Sequence, residues 1–198
     1  MHLILASSSR ARKKLLESLP LKFVVQPSNV NEDTITGSNP RETLIKRAAA
    51  KTAEILKNKQ YTENSIVITA DSGVILDGKL LGKPVDLLQA GKMLFTLSSK
   101  QHIFATAVNL TVITQGKNQK IISSKIYRES KVSFTTLTRE SIDKYLKYSG
   151  NKLLSFAGAY SLIDTPQTFI TKIEGSLTNI VGLPLEDILP LITKYRII

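Results

Sequence analysis

The residues best able to do chemistry lie in a few short segments, and the first is the loop LASSSRARKK at residues 5–14. Three serines and four basic residues follow a short apolar run there. If a helix begins at this loop, its first backbone N–H groups and the positive end of its dipole can hold a phosphate, and serine and arginine side chains can add donors. The alternative is an ordinary capped amphipathic helix with a solvated basic face. The loop contains neither Walker-type nor dinucleotide-type glycines, so by itself it leaves both interpretations open.

Four charged residues further along the chain are candidates for catalysis. Asp71 follows the apolar run SIVITA at 65–70, and a carboxylate at the end of a buried strand can hold a divalent cation or accept a proton from water. The alternative is an Asp-Ser-Gly turn in which the side chain bonds its own backbone. Lys83, between a glycine and a proline, could neutralise phosphate charge or be an exposed turn lysine. Glu32, in a polar loop, and Lys51, in the alanine-rich segment AAAKTA, could be catalytic or simply solvated.

The composition excludes several classes of site. The chain of 198 residues has no cysteine, which excludes disulfide frameworks and thiolate metal sites. Its two histidines, His2 and His102, lie far apart without ligand spacing, so a zinc site or a serine–histidine hydrolase is not expected. If a metal acts here, the remaining ligands are carboxylates, which suit Mg²⁺ or Mn²⁺ arriving with phosphates.

The net charge of +11 would attract a polyanion, which could be nucleic acid, an anionic membrane or a phosphorylated small molecule. The basic residues are scattered, and with six Phe, six Tyr and no Trp a base-stacking surface is not indicated, so we expect no stable nucleic-acid partner. No run approaches the ~20 apolar residues of a membrane span. The apolar residues 3–5 precede the first positive charges, the reverse of a signal peptide. We therefore expect a soluble, cytoplasmic protein.

The elements that must position these residues follow from hydrophobic periodicity and capping signals. Ser9 and Asn39 are suited to cap helices, and Asp77-Gly78 is suited to a hairpin turn. The predicted strands are 2–6, 23–26, 65–71, 101–113, 121–135 and 168–173, with a GKNQ turn between the fourth and fifth; the predicted helices are 10–19, 40–57, 86–98, 138–148 and 185–195. Elements alternate at the start and hairpins fill the middle. This order predicts an α/β fold with a mixed twisted sheet flanked by helices and a second lobe after residue 85.

Four segments resemble motifs of the Maf family of nucleoside triphosphate pyrophosphatases, which are related to inosine triphosphate pyrophosphatases. LILASSSRARKKLL resembles LASxSPRRxxLL, and ITADSGVILDGKLLGKP resembles GADTxVxxxGxxLGKP. FAGAYSLID resembles KAGAYGIQG, and IEGSLTNIVGLPLEDI resembles IxGSYxNVVGLPL. The resemblance runs nearly end to end and implies a single domain over residues 1–198, with an inosine triphosphate pyrophosphatase-like fold and two lobes around a central cleft.

The resemblance implies hydrolysis of a nucleoside triphosphate between its α and β phosphates, with Mg²⁺ or Mn²⁺ as cofactor and a homodimer as the assembly. By position it implies a proton acceptor at Asp71 and a second metal-binding carboxylate at Glu32. It implies phosphate stabilisation by Lys83, and Lys51 matches a further motif lysine. The implied substrate-binding residues are Ser7, Ser9, Arg12 and Ser72.

Three positions depart from the family pattern. Ala11 stands where the family has the first arginine of PRR, Ile163 where it has the glutamine of GIQG, and Phe156 where it has a lysine. Ser72 replaces a threonine but keeps the hydroxyl. AGAY and Ser72 are closer to the branch that acts on dTTP and UTP, while the departures leave a modified nucleotide open. Two other functions also remain open: a catalytically weakened homologue that regulates cell division, and a basic nucleic-acid-binding protein.

Overall fold

A mixed seven-stranded sheet forms the centre of the fold. In the computed structural model, which describes residues 2–57, 64–114 and 120–195, the strands are β1 His2–Leu5, β2 Phe23–Val25, β3 Ser65–Leu76, β4 Lys79–Leu81, β5 Gln101–Thr114, β6 Lys120–Phe134 and β7 Ile170–Glu174. Their order is β2-β1-β3-β5-β6-β7, with β4 paired to β3. β1 pairs in parallel with β2 and β3, and the other pairs are antiparallel. The predicted mixed α/β class is confirmed.

Helices flank this sheet, and side-chain caps begin several of them. The helices are α1 Arg10–Glu17, α2 Pro40–Lys57, α3 Leu87–Leu97, α4 Arg139–Ser149, α5 Leu177–Val181 and α6 Leu185–Lys194, with short 3₁₀ segments at Glu32–Thr34, Gly150–Ser155, Ala157–Ala159 and Gln167–Phe169. Ser9 Oγ accepts the backbone N–H of Arg12 at 3.4 Å, and Asn39 Oδ1 accepts that of Glu42 at 2.9 Å. Both predicted caps are therefore confirmed, because each satisfies an N–H that the first turn leaves free.

Strand β3 is longer than its local sequence predicts. It pairs with β5 without interruption from Ser65 opposite Ile113 to Ile75 opposite Ile103. Asp71 consequently lies in the middle of a strand, opposite Ala107, so its expected place at a strand end and the alternative turn are both wrong. Aspartate, serine and glycine favour a turn locally, but the ladder formed with β5 overrides that preference.

Two large hydrophobic clusters lie along the central strands. One packs α3 and α4 against the sheet and includes Val74, Leu94 and Phe134. The other packs α1 and α6 around β1 and includes Leu16 and Ile188. β3 and β5 supply residues to both clusters, so these two strands connect them. The division into two lobes of one domain stays a prediction.

The other helices and strands match the elements predicted from hydrophobic periodicity, with differences at their ends. β7 begins at Ile170, after a 3₁₀ turn that occupies the first part of the predicted strand, and α5 has no counterpart among the predicted elements. The predicted GKNQ turn lies outside the described residues. Within the described ranges, none of the helices has both the length and the hydropathy needed to cross a bilayer.

Candidate active site

A cleft of about 630 Å³ brings together every residue that the sequence predicts to act. The loop before α1, the 3₁₀ segment at 32–34, α2, β3 and residues 151–164 all contribute lining residues. The predicted residues that line it are Ser7, Ser9, Arg12, Glu32, Lys51, Asp71, Ser72 and Lys83. They come from segments that are distant in the chain, and only the sheet order places them side by side.

Lys51 is the centre of the charged cluster in this cleft. Its ammonium lies 2.8 Å from Glu32 Oε1 and 3.0 Å from Asp71 Oδ1, and it donates to the carbonyl of Ala70 at 3.0 Å. The residue is only 7% exposed. Three acceptors therefore match the three N–H donors of the ammonium, and the interpretation of Lys51 as a solvated charge is wrong.

Asp71 is a buried carboxylate with one engaged and one unengaged oxygen. Oδ1 binds Lys51, while Oδ2 has no hydrogen-bond partner among the described residues and lies 3.9 Å from Arg47 Nη1. Burial raises the pKa of Asp71, Lys51 opposes that rise, and the charge on Glu32 adds to it. A carboxylate with a raised pKa is a better proton acceptor than an ordinary aspartate.

Glu32 has the opposite electrostatic setting, although it shares Lys51 with Asp71. Burial opposes ionisation, but Lys51 and then Lys83 lower the pKa of Glu32 to about 2. Lys83 Nζ lies 3.7 Å from Glu32 Oε2, and its side chain is exposed. Glu32 is consequently ionised throughout the physiological pH range, and Lys83 remains accessible from solvent.

The two carboxylates fit a divalent cation that is shared with a substrate. Asp71 Oδ2 has no hydrogen-bond partner among the described residues, and Glu32 Oε2 lies 3.7 Å from Lys83 Nζ. Within the described ranges no group of three His, Cys, Asp or Glu residues is arranged to hold a metal. Mg²⁺ commonly takes one or two protein carboxylates and fills its remaining positions with water and phosphate oxygens, so this pair suits an ion that arrives with a triphosphate.

Arg12 holds three segments of the cleft together. Nε donates to the carbonyl of Gly182 at 2.8 Å, Nη1 to that of Ala70 at 2.8 Å and to Ser7 Oγ at 3.2 Å, and Nη2 to Ser72 Oγ at 2.8 Å. Burial lowers the pKa of Arg12, and the carboxylates of the charged cluster oppose that shift. Every nitrogen of the guanidinium thus donates to the protein. Contact of Arg12 with substrate stays a prediction.

The opening loop combines the two interpretations that its sequence allows. Ser9 is the cap of α1, and Ser7 Oγ accepts the backbone N–H of Ser9 at 3.2 Å. The same loop also lines the cleft, where Arg10 and Lys14 add exposed cations. The start of α1 is therefore a capped helix that directs its positive end into a basic cleft.

Two features of the site were not found from the sequence. Arg47 lies one helical turn before Lys51, a spacing that places both on one face of α2 and could have indicated it. Ser72 Oγ lies 2.9 Å from Thr106 Oγ1, which donates to the carbonyl of Asn179 at 3.0 Å. This second feature connects two strands and a helix, and no local pattern indicates it.

The three departures from the family pattern also lie on the cleft. Ala11, Phe156 and Ile163 all line it, and so does Lys152. Phe156 and Ile163 add apolar surface to a stretch of the cleft that also contains Lys152 and Asp164, and Ile163 is largely exposed. The departures therefore alter surfaces that a bound molecule would touch.

Comparison with known proteins places the chain in a family. The dTTP/UTP pyrophosphatase of Thermotoga maritima is 38% identical over 186 residues, covering 93% of this chain and 85% of the relative. That of Clostridioides difficile is 34% identical over 195 residues, covering 98% and 95%. A solved HAM1 protein from Coxiella burnetii matches with a TM-score of 0.45 and 17% identity over 98% of this chain and 99% of its own. The Maf family model, described as Maf-like protein, matches residues 2–195, and the chain belongs to this family.

Proposed function

We propose that this chain is a nucleoside triphosphate pyrophosphatase that hydrolyses the α–β phosphoanhydride bond and prefers dTTP and UTP. The observation that carries the proposal is Asp71, a buried carboxylate with a raised pKa and an unengaged oxygen, next to Lys51, Glu32 and Lys83 in one cleft. The names of the relatives at 34% and 38% identity support the substrate class.

In the proposed reaction, Asp71 accepts a proton from water as the water oxygen bonds to the α-phosphorus. The bond from that phosphorus to the bridging oxygen breaks, and the products are a nucleoside monophosphate and pyrophosphate. Lys51 holds Oδ1 of Asp71, which orients the carboxylate and leaves Oδ2 as the proton acceptor. Lys83, exposed at the cleft, stabilises the charge that develops on the departing pyrophosphate.

We also propose that Glu32 holds Mg²⁺ or Mn²⁺ together with the phosphate oxygens of the substrate, and that Asp71 adds negative charge beside the ion while its Oδ2 remains the proton acceptor. When bound, the ion supplies neutralisation of phosphate charge. The support is the two carboxylates in one cleft, each with an oxygen that Lys51 does not engage. We further propose a cytoplasmic location, which the absence of cysteine supports. We also propose a homodimer, which the family resemblance supports.

The other candidate functions have less in their favour. A catalytically weakened division regulator is not favoured, because the four charged residues of the predicted machinery are present and lie together in the cleft. A nucleic-acid-binding role is supported by the net charge of +11 alone.

The test is a panel of nucleoside triphosphates with Mg²⁺ or Mn²⁺, with products separated by chromatography. We expect monophosphate and pyrophosphate, fastest from dTTP and UTP, and loss of activity in excess chelator. Asp71→Asn is expected to lower kcat/KM by about 10³-fold. Asp77→Asn, at an exposed hairpin position of the same sheet, is the matched control and should keep wild-type activity. Diphosphate and orthophosphate as products, or full activity in Asp71→Asn, would contradict the proposal.

A further inference from the structure

His102 is a buried histidine that the proposed reaction does not use. It lies on β5 and is 2% exposed. Its Nε2 lies 2.8 Å from the hydroxyl oxygen of Tyr160, and Nδ1 has no partner among the described residues. Burial lowers the pKa of His102 to about 4, so the imidazole is neutral at physiological pH. The hydrogen bond to Tyr160 is the only polar contact of this side chain within the described part of the chain.

Tyr160 is held by that bond and by ring packing. Its ring packs edge-on against three aromatic rings, with centroids 5.0 Å from Phe134, 5.4 Å from His102 and 6.1 Å from Phe104. The residue is 1% exposed, and His102 is the hydrogen-bond partner that its hydroxyl has among the described residues. A buried hydroxyl without a partner is strongly unfavourable, so the bond determines where the ring settles among its neighbours.

Tyr160 lies within a stretch that forms one side of the cleft, residues 156–164, here named the wall segment. Phe156, Leu162 and Ile163 of this segment line the cleft. Just before Tyr160 the backbone takes two successive left-handed conformations, with φ of +66° at Gly158 and +62° at Ala159. An alanine at positive φ is strained and persists only where surrounding contacts hold it.

The wall segment is also connected to the turn that carries Lys83. The backbone N–H of Gly158 donates to the carbonyl of Gly82 at 2.9 Å. Gly82 directly precedes Lys83, so a shift of the wall segment moves the backbone from which that lysine extends. A Cβ on Gly158 would lie 2.8 Å from Val74 Cγ2, which shows how closely the segment packs on β3.

We propose that His102 is a positioning residue of the active site, which acts through the Tyr160 hydroxyl to hold the wall segment against β3. Through that segment it determines the apolar surface available to the nucleobase and the placement of Lys83. The inference rests on the proposed function only in assigning the nucleobase to this surface. The mechanical link from His102 to Gly82 is independent of what the cleft binds.

The test compares four variants. His102→Leu removes the partner of the hydroxyl, Tyr160→Phe removes the hydroxyl itself, His102→Gln keeps a hydrogen-bonding group close to the position of Nε2, and the fourth variant combines the first two. We expect His102→Leu and Tyr160→Phe each to lower the preference for dTTP over dATP, as a ratio of kcat/KM, by about tenfold. His102→Gln should return the preference to within about threefold of wild type. The combined variant should be no worse than the poorer single variant, because both changes remove one interaction.

Hydrogen exchange at the Gly158 amide gives a readout that needs no catalysis. We expect this amide to exchange at least tenfold faster in His102→Leu and Tyr160→Phe, and near the wild-type rate in His102→Gln. Ile192→Val, a buried change in α6 outside the cleft, is the control: it should lower thermal stability and change neither the preference nor the Gly158 exchange rate.

The outcomes separate this proposal from the proposed function. If the wild type hydrolyses no triphosphate while the Gly158 amide still loses protection in His102→Leu, the proposed function fails and the positioning role stands. If the wild type is active and His102→Leu keeps both its preference and its Gly158 protection, the positioning role is overturned. A loss of thermal stability alone, without change in either readout, would also overturn it and leave His102 as a packing residue.

Discussion

Replacing Lys51 by methionine should destabilise the protein chiefly through charge. The substitution keeps most of the side-chain volume and removes the ammonium that contacts Glu32 at 2.8 Å and Asp71 at 3.0 Å. Two buried or half-buried carboxylates then lose their shared cation, and removal of one partner from a buried ion pair typically costs 3–5 kcal/mol.

The low pKa of Glu32 gives a second, independent value for the stabilisation free energy. Holding its pKa at about 2 instead of the ordinary 4.5 is equivalent to about 3 kcal/mol of stabilisation. The side chain is 26% exposed, so solvent screening reduces the contribution to about 2 kcal/mol. Because burial already raises the pKa of Asp71, loss of Lys51 makes its ionised form still less favourable. We expect the free energy of unfolding of Lys51→Met to be lower by about 3 kcal/mol at pH 7.5.

The loss of stability in Lys51→Met depends on pH in a defined way. The folded-state pKa of Glu32 lies below its unfolded value, so its contribution is present above about pH 4.5 and is lost as the pH falls towards 2. In Lys51→Met the larger part of that contribution is missing, with only the part due to Lys83 left, and acid also relieves the unpaired charge on Asp71. The difference between wild type and variant should therefore be largest at pH 7.5, decrease as the pH falls and Asp71 is protonated in the variant, and be less than half its pH 7.5 value by pH 3.

The assay is urea unfolding followed by far-UV circular dichroism at pH 7.5, 5 and 3, since the chain has no tryptophan. Lys46→Met is the matched control: it is on the same helix, is half exposed and pairs with Glu42 at 2.9 Å, so it should cost less than about 1 kcal/mol at every pH. A loss in Lys51→Met that is as large at pH 3 as at pH 7.5 would refute the electrostatic account and assign the effect to packing.

Three further changes test other parts of the cleft. Arg12→Lys cannot reproduce the bonds to Gly182, Ala70, Ser7 and Ser72, and we expect Tm to fall by about 8 °C in calorimetry; an unchanged Tm would show that those bonds contribute little. Gly158→Ala combines positive φ with a 2.8 Å contact, and should lower the free energy of urea unfolding by about 2 kcal/mol; wild-type stability would contradict the close packing. Lys152→Met removes an exposed cleft cation that has no ion-pair partner among the described residues, and KM for dTTP should rise about threefold at low salt and much less at 0.5 M; an equal rise at both would exclude a charge effect.

Local signals predicted the elements that carry the site. Ser9 and Asn39 cap the helices they were expected to cap, and the Asp77-Gly78 hairpin forms as β3 and β4. These features depend on a few neighbouring residues, so a sequence pattern contains them. Asp71 is the exception, because its three-residue turn signal is weaker than the ladder that β3 forms with β5.

The chemical character of the site residues depended on contacts that no local pattern contains. The sequence leaves Lys51 open between a catalytic and a solvated charge, and Arg12 is a substrate-binding residue by family pattern alone; in the structure each is buried with acceptors from distant segments. His102 has no ligand spacing in the sequence, yet its Nε2 lies 2.8 Å from the hydroxyl oxygen of Tyr160, 58 residues further along the chain. The roles of Lys51, Arg12 and His102 follow from the groups they contact. Those contacts form because the strand order of the sheet brings distant segments together.

By itself the sequence determined most of the element types, the caps at Ser9 and Asn39, the Asp77-Gly78 hairpin, the motif set and the group of residues that would converge, because these depend on neighbouring side chains and on family pattern. Only the tertiary structure decided the direction in which the pKa of each carboxylate shifts. Glu32 and Asp71 are both carboxylates beside Lys51, but one has a lowered and the other a raised pKa. The difference arises because the opposing charges outweigh burial at Glu32, whereas burial outweighs them at Asp71, and burial is a property of the folded chain.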